Sequence, residues 1–453
     1  MKKGFILFIM LFALLLAGCG SAPPEPVNLQ GEQFTIGFGS SEISLPKKGK
    51  LYIAGYHNGR EISGVLDLQR ANALWLGTEE KGVLFISVDC VGLSSETVGK
   101  IREKLAGFCE ETHCLSVNVF STHDHAGVDT LGLWGPIGRD GKNKDFMKNL
   151  ENACVSAAET AYASRKTGRL YYGEAEALRF QEDSRRPTEF DQTLRQFRFV
   201  PETGNGIRLV LFACHAEALG GENTLVSRDY PGAFSDSVKA KTGDDVLFLQ
   251  GAIGGLIKPR TAENGTDEEI MKSFGERLAD VALSITRETE VEPSISLYAE
   301  EFSVPLENPI FVLYRLLGIL KNPVSFGKNK AGIVLDSSLS LFTIGDKTLA
   351  LLPGELFPEL LSGGTGSMED PEPLSVIAKR YGVTDLIAVG LANDELGYII
   401  PPSDFIVDKS FPYFREGKDA RGESHYEETN STGSKTAEKL AEALEKLLQE
   451  RAK

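Results

Sequence analysis

Histidine is scarce in this chain, and half of its histidines stand in two short segments. Of the six histidines in 453 residues, His123 and His125 follow one apolar run and His215 ends another. Imidazole is a common zinc ligand and exchanges protons near neutral pH. In a His-x-His pair on an extended backbone the two rings lie on the same side, so both can reach one site, where one binds a metal while the other faces a substrate. The three residues therefore predict a metal site beside a substrate-facing histidine.

A hydrolytic zinc site needs a further ligand and an open position for water. Glu355 is a candidate because it follows the apolar run 348–352 through a Pro-Gly turn, which holds its carboxylate at a strand end. The alternative for Glu355 is a solvated loop acid. Periodicity alone does not make Tyr398 a ligand. A dinuclear site of the metallo-β-lactamase type needs an Asp-His pair after the second histidine, and Gly127 disfavours it.

The elements that must position these side chains are apolar, β-branched runs that end in polar or glycine-containing turns. These runs are residues 83–88, 115–120, 207–213, 246–249 and 386–391. Residues 95–108 and 145–165 between them have apolar positions at helical spacing. Continuous apolar runs are typical of strands that are covered on both faces. We expect an α/β fold whose mixed sheet is flanked by helices, with the site at the carboxyl ends of the strands.

Two further patterns refine this expectation. Residues 338–344 and 348–352 flank a Gly-Asp-Lys reversal, which predicts a hairpin and hence a mixed sheet. The segment 430–453 carries leucine and alanine at helical spacing, which predicts a closing amphipathic helix.

The N-terminus predicts export. Two lysines precede an apolar run from 5 to 16, and the small residues Ala17 and Gly18 come before Cys19. This arrangement resembles the bacterial lipobox, and the alternative is an ordinary signal peptide with an incidental cysteine. We expect a signal peptide at 1–18, a lipidated Cys19 with a tether at 19–33, and a catalytic domain at 34–453. The mature protein would be anchored by lipid to a membrane of the bacterial cell envelope.

Charge and cysteine usage limit the partners. The formal net charge of −16 repels phosphate backbones, so nucleic acid is a poor partner. Cys109 and Cys114 could close a short loop in an oxidising compartment, whereas Cys90, Cys154 and Cys214 stand in apolar contexts that favour buried thiols.

The combination of motifs resembles the neutral, non-lysosomal ceramidases and their wider relatives. The segments that carry the resemblance are STHDHAG at 121–127, CHAEALGGENTLVSRDYPG at 214–232, LLPGE at 351–355, the stretch through Gly397-Tyr398, and HYEETNS at 425–431. They occur in the same order and cover most of the mature chain.

The resemblance implies a zinc-dependent hydrolase that cleaves an amide bond, of ceramide or another N-acyl lipid, with a metal-activated water. The ligands it implies are His123, His215, Glu355 and Tyr398. His125 would face the substrate as a hydrogen-bonding or acid/base group. The segment SRRP at 184–187 nominates Arg185 to hold the carbonyl or oxyanion, and Arg186 is its alternative on a solvated loop.

Two departures from the ceramidase pattern bear on activity. Ile257 stands where the ceramidases have a serine with a catalytic role, and Gly255 stands in place of an aspartate. The sequence also stops at the predicted terminal helix, without the β-sandwich domain of full-length ceramidases. A non-catalytic zinc- or lipid-binding surface lipoprotein is therefore the alternative function, and a purely structural lipoprotein without metal is a third.

The segment introduced by Asn308 is strongly apolar from 310 to 320 and is punctuated by Arg315 and Lys321. Such a segment could rest on lipid or roof a groove for an acyl chain. The alternative is a helix of the hydrophobic core.

Overall fold

The computed structural model describes residues 25–261, 264–326 and 332–453. The predicted leader at 1–18 and the predicted lipidation site Cys19 lie outside these residues. Helices and strands are numbered here in chain order. The helices are α1 (Ser95–Thr112), α2 (Lys144–Ala163), α3 (Asp229–Thr242), α4 (Asp267–Leu283), α5 (Pro309–Leu316), α6 (Pro358–Ser362), α7 (Leu374–Arg380) and α8 (Thr436–Arg451).

The larger of two main sheets has nine strands. In spatial order they are β12 (Asp245–Gln250), β10 (Ile207–Phe212), β9 (Thr193–Pro201), β7 (Lys166–Glu176), β2 (Phe34–Glu42), β4 (Arg70–Thr78), β5 (Lys81–Val88) and β6 (Cys114–Ser121), with β14 (Thr289–Val291) also paired to β7. The β10–β12 and β5–β6 pairs are parallel and the other pairs are antiparallel.

The second main sheet has six strands. In spatial order they are β1 (Val27–Gln30), β15 (Ser294–Pro305), β17 (Ile333–Ile344), β18 (Lys347–Leu351) and β20 (Leu386–Val389), with β16 (Val324–Phe326) also paired to β17. Four short ladders complete the strands: β3 (Gly64–Val65) with β11 (Leu225–Val226), β8 (Gln181–Asp183) with β13 (Ile257–Pro259), β19 (Glu355–Leu356) with β21 (Tyr398–Ile399), and β22 (Gly417–Lys418) with β23 (Ser424–His425).

The two main sheets pack face to face, and helices cover their outer faces. Phe85 on β5 and Phe342 on β17 meet between the sheets with ring centroids 4.6 Å apart. Helices α1 to α4 cover the nine-stranded sheet, and α8 covers the six-stranded sheet. The sequence of strand β10 is apolar throughout because both of its faces are buried. Leu209 packs between the sheets, while Val210 packs under α3 and α4.

The predicted α/β class with a mixed sheet and flanking helices is confirmed, with the difference that two sheets form the core. The predicted hairpin is confirmed as β17 and β18, which pair antiparallel around the Gly345-Asp346 turn. It belongs to the second sheet, together with the predicted strand β20. The closing amphipathic helix is confirmed as α8.

Near the N-terminus, strand β1 lies within the segment 19–33 that was predicted as a tether, and it pairs with β15. The folded part of the chain therefore includes residues before 34. The five cysteines of the described residues are free thiols, so no disulfide bond joins Cys109 to Cys114. Across residues 25–261, 264–326 and 332–453, every helix is too short or too polar to cross a membrane.

Candidate metal centre and its cavity

The histidines come together because the loops after β6 and β10 are joined by backbone contacts. Asp124 and Ala216 form a parallel bridge, and the His125 amide donates to the Ala216 carbonyl at 2.9 Å. The metal-binding atoms of His123, His125 and His215 consequently all lie within 4.8 Å of one another. His123 adopts a left-handed backbone with φ of 58°, which is uncommon outside glycine and marks a constrained position.

Glu355 and Tyr398 reach the same place from the second sheet. Glu355 begins β19 directly after the turn that ends β18, and Tyr398 begins β21. The two residues are register partners in the short parallel ladder between β19 and β21. This ladder lies at the carboxyl end of the parallel pair β18–β20, as expected for a site built on strand ends.

The orientation of both imidazoles is fixed by backbone carbonyls. Nδ1 of His123 lies 2.7 Å from the Val91 oxygen, and Nδ1 of His215 lies 2.9 Å from the Ile257 oxygen. A carbonyl oxygen can only accept a hydrogen bond, so each Nδ1 donates and each neutral ring presents an Nε2 lone pair. This is the outer contact that metal-binding histidines usually have.

The two Nε2 atoms converge on one carboxylate oxygen. Oε2 of Glu355 lies 3.1 Å from Nε2 of His215 and 3.3 Å from Nε2 of His123. Three electron-rich atoms so close together repel one another unless positive charge lies between them. A proton on one ring offsets only part of this repulsion, whereas a divalent cation attracts all three atoms. The donor set of two imidazoles and a carboxylate fits zinc.

Burial shifts the acid–base properties of this cluster. Burial by itself raises the pKa of Glu355, but His123 and His215 outweigh it and the net pKa is lowered. Burial lowers the pKa of His215, and contacts with Glu355 outweigh it so that the net pKa is raised. The pKa of His125 is held well below its usual range by burial and then by the other two histidines. Of these two imidazoles, His215 therefore accepts a proton more readily than His125 does.

His125 differs from the other two histidines because neither of its ring nitrogens has a hydrogen-bond partner among the described residues. Oε2 of Glu217 lies 3.6 Å from its Nδ1, and the Tyr56 hydroxyl donates to that oxygen at 2.8 Å. Tyr56 also packs edge-on against the imidazole. Gly55 allows this approach, since a Cβ there would lie 2.5 Å from the ring.

The Tyr398 hydroxyl lies 3.0 Å from the hydroxyl of Tyr426. Burial, and then the charge of Glu355, raise the pKa of Tyr398 well above its usual range. Tyr426 comes from the HYEE segment near the C-terminus, so it connects that segment to the site.

Arg185, by contrast, is not among the described residues that line the cavity in front of the histidines. Its buried guanidinium binds three carboxylates: Nε lies 2.8 Å from Asp404, Nη1 lies 2.8 Å from Glu427, and Nη2 lies 2.9 Å from Glu428. Nη2 also lies 2.7 Å from Nδ1 of His425. Arg186 is exposed and lies only loosely against Glu423.

Ile257 was predicted from the sequence to stand in the place of the ceramidase serine. Its side chain is fully buried and does not line the cavity, whereas the neighbouring Leu256 and Lys258 do. Its carbonyl accepts hydrogen bonds from both the backbone amide and the ring of His215. The residue acts on the site through its backbone.

A cavity of about 1260 Å³ opens in front of the histidines. Its wall near the centre is polar and includes Glu217, Glu355 and Glu395. Other parts of the wall are apolar, and α5 and the segments on either side of it supply much of this apolar lining. The apolar lining includes Trp134, Leu306, Ile310, Phe311, Leu320 and Leu335.

Several residues of the site were missed by the sequence analysis. Tyr56 stands in a loop without periodicity, and Glu395 resembles any acidic turn residue. Glu217 was the easiest of them to predict. It lies two residues after His215, and alternation along an extended chain places the side chains of His215 and Glu217 on one side. Tyr426 lies in a segment that was noted only for its resemblance.

Comparisons with known proteins give similarity in structure only. No family model matches the chain, and no curated protein matches it in sequence. The crystal structure of neutral ceramidase from Pseudomonas aeruginosa is similar with a TM-score of 0.72 and 15% identity, over 93% of this chain and 75% of that chain. A second structure, described as ceramidase complexed with C2, has a TM-score of 0.70 and 15% identity, over 92% and 76% of the two chains. The chain therefore has a ceramidase-like fold.

Proposed function

We propose that this protein is a zinc-dependent hydrolase that cleaves the amide bond of an N-acyl substrate. The observation that carries the proposal is that Nε2 of His123 and Nε2 of His215 both lie within 3.3 Å of Glu355 Oε2, at the end of a partly apolar cavity. The ceramidase-like fold supports the same reaction class.

The zinc ion would be held by His123, His215, Glu355 and Tyr398. Bound there, it would polarise a substrate carbonyl and lower the pKa of a water molecule. Val91 and Ile257 hold the two imidazoles through their carbonyls, so the ligand lone pairs are oriented before the metal arrives.

His125 would hold the substrate rather than the metal. Neither of its nitrogens has a hydrogen-bond partner in the described part of the chain, and the ring lies on the cavity wall. This suits hydrogen bonding to the scissile amide or transfer of a proton to the leaving amine. Glu217 and Tyr56 lie on the Nδ1 side of the ring, so a tautomer with hydrogen on Nδ1 would leave Nε2 to face the substrate. Arg185 was predicted to contact the carbonyl, and with its guanidinium held by three carboxylates we assign it a positioning role.

The apolar part of the cavity supports an acyl chain as one half of the substrate. Ile310, Phe311 and Leu335 would contact it, and burying a chain of several methylenes contributes about 0.8 kcal/mol for each one. Ceramide and other N-acyl lipids fit this description.

Metal analysis and activity test the proposal together. The purified chain should contain one zinc per molecule and release a free fatty acid from at least one member of a panel of ceramides, N-acyl amino acids and other N-acyl amines. His123→Ala should lose both the zinc and the activity. His113→Asn, at the C-terminal end of α1, is the control and should keep both. A metal-free wild-type protein with full activity would refute the proposal.

A non-catalytic lipid-binding protein is the second candidate function. It is favoured by Ile257, which offers no hydroxyl at the position of the ceramidase serine. Zinc retained at one equivalent, with stoichiometric binding of N-acyl lipids and no product in the same panel, would support it over the hydrolase.

We further propose that the protein is anchored to the bacterial envelope through Cys19. The lipobox-like segment before it supports this localisation. Labelled palmitate should be incorporated into the wild-type chain during expression and not into Cys19→Ser; equal labelling would refute the anchor.

A further inference from the structure

Three segments that line the cavity also carry exposed apolar side chains. We call residues 131–142, 309–321 and 408–416 the cavity rim. Each contributes to the cavity wall, for example through Trp134, Tyr314 and Tyr413. The rim makes up less than a tenth of the chain. It nevertheless holds six of the fourteen large apolar side chains that are exposed among the described residues: Ile137, Leu313, Leu316, Leu317, Phe411 and Phe414.

Helix α5 is apolar on two adjoining sides. Ile310, Phe311 and Tyr314 face the cavity. Leu313, Leu316 and Leu317 recur at the spacing of one helical face, and they are 47%, 67% and 52% exposed. An alternative raised by the sequence was a helix of the hydrophobic core, but within this helix only Phe311 is buried. One apolar side of the helix is therefore left facing outward.

The three segments form one continuous border. Nζ of Lys142 donates to the carbonyl of Ile319 at 2.7 Å and to that of Leu131 at 3.0 Å, which ties the first segment to the end of α5. The Tyr413 hydroxyl is hydrogen bonded to Glu307, two residues before α5 begins. The exposed apolar side chains of the rim thus lie on connected segments that also line the cavity.

The charge of the rim is opposite to that of the whole chain. Its cationic side chains are Arg139, Lys142, Arg315, Lys321, Lys409 and Arg415, and its acidic ones are Asp140, Asp408 and Glu416. Six positive against three negative charges give a net of +3, in a chain whose formal net charge is −16. Lysine and arginine beside exposed leucine and phenylalanine are typical of surfaces that rest in the headgroup region of anionic bilayers.

We propose that the cavity rim is a docking surface for an anionic phospholipid bilayer. Leu316, Leu317 and Phe414 insert among the headgroups, while Lys321 and Lys409 contact lipid phosphates. The cavity then opens toward the bilayer, so a lipid can enter it without crossing water. Because this docking needs neither catalytic turnover nor the predicted acyl group on Cys19, it is independent of the proposed hydrolase function.

Vesicle binding tests this proposal. The full chain is made with Cys19→Ser, so that every comparison is free of the predicted acylation, and mixed with vesicles of phosphatidylcholine alone or with phosphatidylglycerol. The unaltered rim should bind the anionic vesicles more tightly than the neutral ones. Leu316→Gln with Leu317→Gln should weaken partitioning into both kinds by about tenfold, because two inserted side chains are lost. Lys321→Gln with Lys409→Gln should reduce the preference for anionic vesicles by about tenfold and leave neutral binding unchanged.

A matched control uses exposed apolar residues outside the rim. Met368→Gln with Val376→Gln replaces side chains that are 101% and 38% exposed, and it should partition as the parent does. Circular dichroism checks that all variants are folded. Equal partitioning of the leucine variant and its parent would overturn the proposal, as would equal weakening by the control pair. If the leucine variant instead turns a dimer into a monomer in light scattering and binds vesicles normally, the rim pairs with a second copy and the proposal is wrong.

Discussion

The hydroxyl of Tyr426 lies 3.0 Å from the hydroxyl of Tyr398, which is a proposed zinc ligand. A phenol that binds a metal is a better ligand when a neighbouring group fixes its oxygen, and loss of such an outer contact typically costs 10- to 100-fold in affinity. Tyr426→Phe keeps the ring contact with Tyr398 and removes only the hydroxyl. We expect zinc to bind this variant about tenfold more weakly, as measured by competition with a chromogenic chelator.

The control for this prediction is Tyr413→Phe. Tyr413 also lines the cavity, but its hydroxyl is bonded to Glu307 and not to the ligand cluster. Zinc affinity should be unchanged in this variant. If Tyr426→Phe binds zinc as the wild type does, Tyr398 is not tuned through this contact.

At the same scale, the sequence could indicate the proposed ligands but not what surrounds them. His123, His215 and Glu355 each follow an apolar run, and strand ends of an α/β fold meet at one edge. The roles of Tyr56 and Tyr426 depend on which loops touch in three dimensions, and loops carry no periodicity. The sequence placed Arg185, and not Arg186, inside the protein, which agrees with the structure, but it could not show that the Arg185 guanidinium lies among carboxylates.

Among the elements, Arg185 connects three segments that are far apart in the chain. Its guanidinium joins the loop after β8 to Asp404 and to the short 3₁₀ turn Glu427–Asn430. Arg185→Leu leaves Glu427 and Glu428 buried without their cation, which typically costs 3–5 kcal/mol. We expect the free energy of unfolding to fall by about that amount, measured by chemical denaturation.

Arg186→Leu is the natural control, since the Arg186 side chain is 67% exposed and lies 3.8 Å from Glu423. Exposed pairs of this kind contribute about 0–1 kcal/mol. Equal destabilisation by the two substitutions would contradict the positioning role. A variant Arg185→Leu that is as stable as the wild type but inactive would restore the predicted contact with substrate.

The strands themselves were largely predictable, whereas their division into two sheets was not. Residues 207–213 and 246–249 are apolar throughout, and they form the parallel pair β10–β12. The hairpin β17–β18 was recognisable from its Gly-Asp turn. A continuous apolar run predicts that both faces of a strand are buried. It does not predict whether a helix or a second sheet packs against each face. Phe85 and Phe342 meet across the two sheets, and neither sequence position indicates the other.

Across the whole molecule, several carboxyl groups are buried without enough positive charge to keep them ionised. Burial is the main cause in each case, and it raises the pKa of Asp183 to about 6, of Asp229 to about 6, of Asp89 to about 7 and of Glu359 to about 8. Ordinary values in the unfolded chain are about 4. At these four groups the folded state therefore binds more protons than the unfolded state between about pH 4 and pH 8. Because the folded state holds the extra protons, the contribution of these groups to the free energy of unfolding decreases as pH rises through this range.

Glu359 on α6 offers the sharpest test of this pH dependence. Its Oε2 has no hydrogen-bond partner among the described residues, and Asp183 and Asp404 raise its pKa further while Arg185 lowers it. Glu359→Gln removes the titration and keeps the shape of the side chain. The variant should match the wild type near pH 4 and exceed it at pH 8 by on the order of 1–2 kcal/mol in free energy of unfolding. Zinc-saturated samples of both proteins are compared by denaturation at each pH, so that metal binding contributes equally.

Glu110→Gln, an exposed change on α1, should follow the wild type throughout. A loss of stability of Glu359→Gln at pH 8 would contradict this prediction. The ionised Glu359 carboxylate would then stabilise the fold, in spite of its burial near Asp183 and Asp404.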